Sequence, residues 1–263
     1  MMRLCGNTKR LPAQSKKYWG GSAMKLTRML VVINITASAV CLNLGVPSLV
    51  HAKRANAHDR SQVGIYVKPQ LELYQLTTQF NGQKSYRNDS DRLTIDVPQP
   101  ESSGKLFGGY GGVRLALWDF PMDLALEMGY LTSNQDAKSY NRTSKFQYNL
   151  LDCNIKTSFF TDKSLQPSLI LGVNIPWYKF KNAAYHNSTI GDATYSGLGY
   201  NLGAALSLKV NRYFQIEGMV VQRWQTFTSV QAFGQTYSLS DSLSSSTLGV
   251  AFNGILKWDF KLY

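Results

Sequence analysis

The chain ends on TLGVAFNGILKWDFKLY, residues 247–263. Every second position from Leu248 gives Leu248, Val250, Phe252, Gly254, Leu256, Trp258, Phe260 and Leu262, an apolar series broken only by the glycine. The positions between them are Thr247, Gly249, Ala251, Asn253, Lys257, Asp259 and Lys261, with Ile255 the one apolar exception. Side chains on a strand alternate between its faces, so the stretch predicts one long strand with an apolar side and a polar or small side.

The same pattern recurs upstream. It runs through VGIYVKPQLELYQL (63–76), LFGGYGGVRLALW (106–118), MDLALEMGYL (122–131), KFQYNLLDCNIKTSFF (145–160), SLILGVNIPWYKF (168–180), GLGYNLGAALSLKV (197–210) and YFQIEGMVVQRWQTF (213–227). None of these stretches keeps the 3.6-residue period of an amphipathic helix. Short spacers at 119–121, 161–166 and 211–212 alternate with longer polar ones near 77–105, 132–144, 181–194 and 228–244. An even number of strands with that alternation of connections predicts an up-and-down antiparallel meander that closes into an eight-stranded barrel.

Which face meets what is decided by the small residues. The polar side carries Gly64, Gly108, Gly112, Ala116, Gly172, Gly199, Gly203, Ala205, Gly249 and Ala251. Glycine weakens a strand, so it is a poor filling for a water-facing surface and a good one for a crowded lumen. The other side carries Leu, Val, Ile and Met, with Tyr130, Tyr148, Phe159, Trp177, Tyr200, Phe214, Trp224, Trp258 and Phe260 near strand ends. Lipid-facing apolar bands bounded by aromatic girdles have that arrangement. The fold class read from the sequence is therefore all-β, a transmembrane antiparallel barrel over residues 62–263. Pro69, Pro176 and the NLLDC stretch (149–153) each suggest a β-bulge.

Composition agrees. The net charge of +12 suggests nucleic acid, but residues 1–52 hold seven Lys/Arg and no Asp/Glu, leaving 21 against 16, or +5, for the rest. No basic stripe survives there, so nucleic-acid binding is not expected. Lys25 and Arg28, the apolar run Met29–Val50, and Val50 and Ala52 at −3 and −1 form a signal-peptide pattern over 24–52, cleaved after Ala52. A membrane anchor over Met29–Val50 is the alternative. On the first reading residues 1–23 are an upstream extension and 53–61 a flexible lead-in. Of Cys5, Cys41 and Cys153, only the last remains after cleavage, so no intrachain disulfide is expected.

These residues resemble the eight-stranded outer-membrane β-barrels of Gram-negative bacteria, the OmpA-type transmembrane domain and the opacity-protein relatives. The resemblance rests on GIYVKPQLELYQL, LFGGYGGVRLALW and the aromatic end formed by Trp258, Phe260, Leu262 and Tyr263, and it covers the mature chain. It implies export to the outer membrane, assembly through the C-terminal signal, and contact with membrane lipid and lipopolysaccharide. Tyr263 departs from the family pattern, falling one residue out of phase with Phe260 and Leu262.

The inward side carries charges of both signs. Lys68, Glu72, Arg114, Glu127, Asp152, Lys156, Glu217, Arg223 and Lys257 form the expected lumen network, with Asp123, Lys209 and Asp259 beside them. Each is expensive to bury alone, so ion pairs that plug the lumen are expected, Arg114 with Glu127 among them. The resulting functional reading is a non-enzymatic scaffold, a monomer without metal or cofactor. It displays loops 77–105 and 228–244 to an extracellular ligand. The alternatives are a small gated pore and, from His186 and Ser188, a lipid A deacylase-like enzyme.

Overall fold

A computed structural model describes residues 62–80, 82–87, 92–116, 121–139, 142–186 and 189–261. The leader, the upstream extension, the lead-in, Ser188, Leu262 and Tyr263 lie outside them. Eleven strands form among the described residues. Eight of them build the wall: β1 (Gln62–Thr78), β5 (Ser103–Ala116), β6 (Met122–Ser139), β7 (Arg142–Phe159), β8 (Leu165–His186), β9 (Thr189–Lys209), β10 (Phe214–Ala232) and β11 (Gln235–Lys261). Each pairs antiparallel with its neighbour in sequence, and β11 returns to β1 from Gln62↔Lys261 to Thr78↔Ser245. Closure leaves the wall without an open edge, as hydrocarbon requires. No described helix is long and apolar enough to cross a membrane; the strands do the crossing.

The wall has two zones of opposite polarity. Toward the end that holds Gln62 and Lys261, apolar side chains point outward. Ile65, Leu71, Leu126, Val173, Leu206 and Phe252 are all exposed there, while the lumen side is polar. On β8 this band runs from Leu165 to Trp177. At ~3.3 Å per residue and ~40° of tilt it is about 30 Å tall, the thickness of a bilayer core. Aromatic side chains mark both margins: Tyr200 stacks on Trp224 with centroids 4.9 Å apart at one, and Trp258 and Phe260 are exposed at the other. Beyond the first margin the polarity reverses. Phe146, Tyr178, Phe180, Tyr195, Phe227 and Val230 are buried inside, and Gln, Ser and Thr face out.

This second zone corrects the sequence reading. The stretches 132–144, 181–194 and 228–244, read as loops, mostly continue the strands. β10 and β11 meet at Phe233 and Gly234, with φ of 50° and 76°, the two left-handed residues of a primed hairpin turn. The alternation had simply changed sign, from apolar-out to apolar-in. Residues 77–105 also differ from expectation. They form β2 (Gly82–Arg87), β3 (Arg92–Val97) and the short β4 (Gln99–Pro100). β3 joins the wall through Thr94↔Tyr185 and Ile95↔Ala184, and β4 through Gln99↔Lys138 and Pro100↔Ala137.

The expected bulges are absent where they were placed. β1 and β11 skip their rungs at Lys68 and Pro69 but keep register on either side. β8 and β9 do the same around Pro176. A proline removes a donor toward one neighbour only, so the ladder loses a bond without an inserted residue. β7 is in register throughout, and Tyr148 therefore points inward, fully buried, rather than toward lipid. The register shifts lie instead between Phe227 and Ser229 and between Phe180 and Ala184, in the second zone.

The polarity of the first zone makes a measurable difference. Leu206, exposed on β9 within the apolar band, should lose about 2–4 kcal/mol on replacement by arginine if it lies near the bilayer midplane. Urea titration of the barrel in lipid vesicles reads that loss. A Leu206→Arg barrel as stable as the unmodified one would rule out the lipid-facing assignment.

Candidate functional site

The lumen is built in layers, each set by the inward residues of facing strands. Nearest the terminal end, Arg114 donates from Nη1 to Asp123 Oδ2 at 2.6 Å and from Nη2 to Asp259 Oδ1 at 2.5 Å. Lys257 is buried on β11 at the same end, while Lys209, expected in the lumen, is exposed at the end of β9.

The second layer centres on two glutamates. Glu127 accepts from Tyr66 at 2.7 Å and from Lys68, which reaches both its oxygens at 2.9 Å. Glu217 accepts from Lys156, from Ser207 at 2.9 Å, from Asn253 at 3.1 Å and from Lys68 at 3.5 Å. Arg114 and Glu127 thus do not pair, contrary to the sequence expectation. Their depth is similar, since Gly112 faces Glu127 and Arg114 faces Ala125. The stagger of strands around the barrel instead brings Arg114 toward β11 and gives Glu127 to β1.

In the third layer Arg223, fully buried, forks onto Glu72 at 2.5 and 3.0 Å and reaches Asp152 Oδ2 at 3.2 Å. Tyr110 donates to the same Asp152 oxygen at 2.6 Å, and Gln70 donates to Glu72 at 2.8 Å. Lys68 Nζ lies 4.6 Å from the Tyr110 ring centroid and so links this layer to the one before. The glycines of the lumen side make this possible. A Cβ at Gly249 would stand 1.9 Å from Glu72 Oε1, and one at Gly112 would stand 2.3 Å from the Tyr66 ring. Any larger residue would expel the side chain that crosses it.

Next comes a hydroxyl and amide layer. Gln225 donates to Tyr148 Oη at 2.6 Å and accepts from Tyr178 and Ser245, each at 2.9 Å. Above it sits a core that the sequence reading missed. Phe80, fully buried, lies among the rings of Tyr178, Phe180, Tyr195 and Phe227, with centroids 4.8 to 5.9 Å away. Leu93, Ile95 and Val97 of β3 are buried in the same cluster. Phe80 and β3 therefore form a stopper made by the chain itself. RLTIDV (92–97) carried the signal, since its apolar residues alternate like those of a strand.

The arrangement gathers Lys68, Glu72, Glu127, Asp152, Lys156, Glu217 and Arg223 in two touching ion clusters, with Arg114 apart in a third. Among the described residues no group of three His, Cys, Asp or Glu side chains is placed to hold a metal. His186 ends β8, its ring 5.8 Å from that of Phe233.

The fold is that of an eight-stranded outer-membrane β-barrel. The closed ladder and the lipid-facing band define it. No protein-family model matches the sequence, and no curated protein is significantly similar to it. Among solved structures the chain is similar to Neisserial surface protein A, at 13% identity over 74% of this chain and 97% of that one, with a TM-score of 0.39. It is similar to OprG from Pseudomonas aeruginosa, at 12% identity over 76% and 97%, with a TM-score of 0.40. It is similar to Ail of Yersinia pestis, at 9% identity over 74% and 99%, with a TM-score of 0.39.

Proposed function

We propose that the protein is a plugged outer-membrane scaffold that presents a surface for binding outside the cell. The observation that carries this reading is the filled lumen. Paired charges occupy the part within the bilayer, and an apolar core built around Phe80 occupies the part beyond it. A barrel sealed twice over is suited to holding a surface, not to passing solute. The surface offered is the polar outer wall of the second zone, with the outward side of 77–105 and the hairpin at 228–244. The apolar side of 77–105 is committed to the stopper. Export by the 24–52 leader and assembly through Trp258, Phe260, Leu262 and Tyr263 deliver a monomer to outer-membrane lipid and lipopolysaccharide.

In planar bilayers the protein should show no steady conductance. A stable channel of porin size would replace this reading with the gated-pore one. The binding role is tested separately, on cells displaying the folded barrel. Exchanging the exposed hairpin residues Phe233 and Gln235 for serine should reduce attachment to extracellular matrix several-fold without changing the amount of barrel at the surface. Unchanged attachment by these variants would remove the hairpin from the proposed surface.

A further inference from the structure

Within the bilayer the wall is closed, but in the second zone the ring has a seam. β1 and β11 stay paired up to Thr78↔Ser245, and just beyond it Gln79 N–H donates to Ser244 O at 3.0 Å. There the two part. The chain of β1 goes on as β2, which pairs with β3 alone, and β11 goes on to Gln235 paired with β10 alone. Through β3 the connected order is β2, β3, β8, β9, β10, β11, each antiparallel to the next. No ladder among the described residues joins β2 to β11. The two edges that border the seam are unlike. The β10 register jumps from Phe227↔Leu243 to Ser229↔Ser238, so 239–242 of β11 lie in neither of its ladders. An irregularity of that kind blunts an edge. β2 is regular from Gly82↔Val97 to Arg87↔Arg92, and its other edge presents a row of N–H and C=O groups with no strand to meet.

The core points to the same line. Two residues that pack on the buried cluster of this zone, Tyr86 and Leu239, are only partly buried. Tyr86 is on β2 opposite the fully buried Leu93, and Leu239 is in the unpaired stretch of β11. One stands on each border of the seam, so the core is incompletely covered where the ladder is missing. A pairing strand covers both features at once. Its main chain bonds the edge while its alternate side chains lie on the core. Lys84 sits half-buried on the same side of β2, opposite the buried Ile95 and next to Tyr86 on that face. It adds a charge preference to the site.

We propose that β2 binds an extended polypeptide segment of a partner as a further strand in this seam. The segment lays apolar side chains beside Tyr86 and Leu239 and an acidic one beside Lys84. The proposal rests on the reading of the second zone as a surface held outside the cell, and it names the class of partner. A saccharide or a lipid headgroup can bond single N–H or C=O groups. Neither has a repeating main chain to match alternate residues along a strand.

The full chain, folded in phospholipid nanodiscs, is probed with the acetylated and amidated peptide Thr-Leu-Thr-Glu-Thr-Leu-Thr, which reads the same in both directions. At a peptide concentration about ten times its Kd, amide exchange at alternate residues of β2 should slow about tenfold. A nitroxide on the peptide should broaden the amides of β2 and of 239–243. The analogue with lysine for glutamate should bind several-fold more weakly, and Lys84→Glu should reverse that order. An analogue methylated on every backbone nitrogen should not bind. Absence of binding, or no preference between the glutamate and lysine peptides, would overturn the proposal. So would equal binding of the methylated analogue, which would mean adsorption to apolar surface. Broadening centred on Ala184 and Tyr185 would overturn it too, because the peptide would then have taken the place of β3. Protection of β2 that rises with barrel concentration in detergent, with no peptide present, would give the edge to a second copy instead. Steady conductance in planar bilayers would end the scaffold reading and leave the peptide result standing, whereas a peptide that fails to bind leaves the conductance result as it is.

Discussion

Arg223→Met should destabilise the barrel by about 3–5 kcal/mol, the usual loss when one partner of a buried ion pair is removed. The side chain is fully buried and serves two carboxylates on two other strands. Its removal leaves Glu72 and Asp152 in the lumen with no cation at hydrogen-bonding distance, and the methionine offers neither of them a donor. Urea unfolding in detergent micelles measures the change. The triple variant Arg223→Met, Glu72→Gln, Asp152→Asn should recover most of the loss, since it removes the unpaired charges together with their partner. A single Arg223→Met variant that unfolds at the same urea concentration as the unmodified barrel would show that the network contributes little, and the plug reading would lose its electrostatic half.

Phe80→Ala should cost a similar amount, about 3–5 kcal/mol, as expected for emptying an aromatic site in a packed core. Four rings surround the position. The loss has a ceiling, because among the described residues β3 pairs with the wall at two positions. Once the cavity costs more than the docking of 77–105 is worth, the segment lifts and the barrel beneath remains. Two readouts separate these outcomes. Hydrogen exchange at β2 and β3 should rise sharply in Phe80→Ala while exchange at β8 and β9 changes little, and a small aromatic solute such as benzene should restore part of the protection by filling the cavity. Equal acceleration in all strands would mean that the stopper and the wall unfold as one unit.

The closed eight-stranded wall was legible in the sequence because every strand, TLGVAFNGILKWDFKLY included, had to show lipid one face and the lumen the other. A period of two with glycine on the crowded side leaves few other folds. The identity of the lumen charges was legible for the same reason: parity alone assigns Lys68, Glu72, Glu127, Asp152, Lys156, Glu217 and Arg223 to one face. Their partners were not. Parity gives depth and side, whereas pairing depends on the stagger between strands and on which long side chain reaches across the lumen first. That is why Arg114 meets Asp123 and Asp259 in place of Glu127, and why Arg223 spans from β10 to β1 and β7. The second zone was hidden for a different reason. Outside the bilayer the same alternation buries its apolar residues inward, so Ala184, Ala193, Val230 and Tyr237 fall in stretches that an apolar outer face would leave as loop. Only the tertiary structure could show that RLTIDV turns back into the barrel it leaves. Nothing local in that stretch distinguishes a strand that faces water from one whose apolar side finds Phe80, Tyr178 and Phe227 already arranged to receive it.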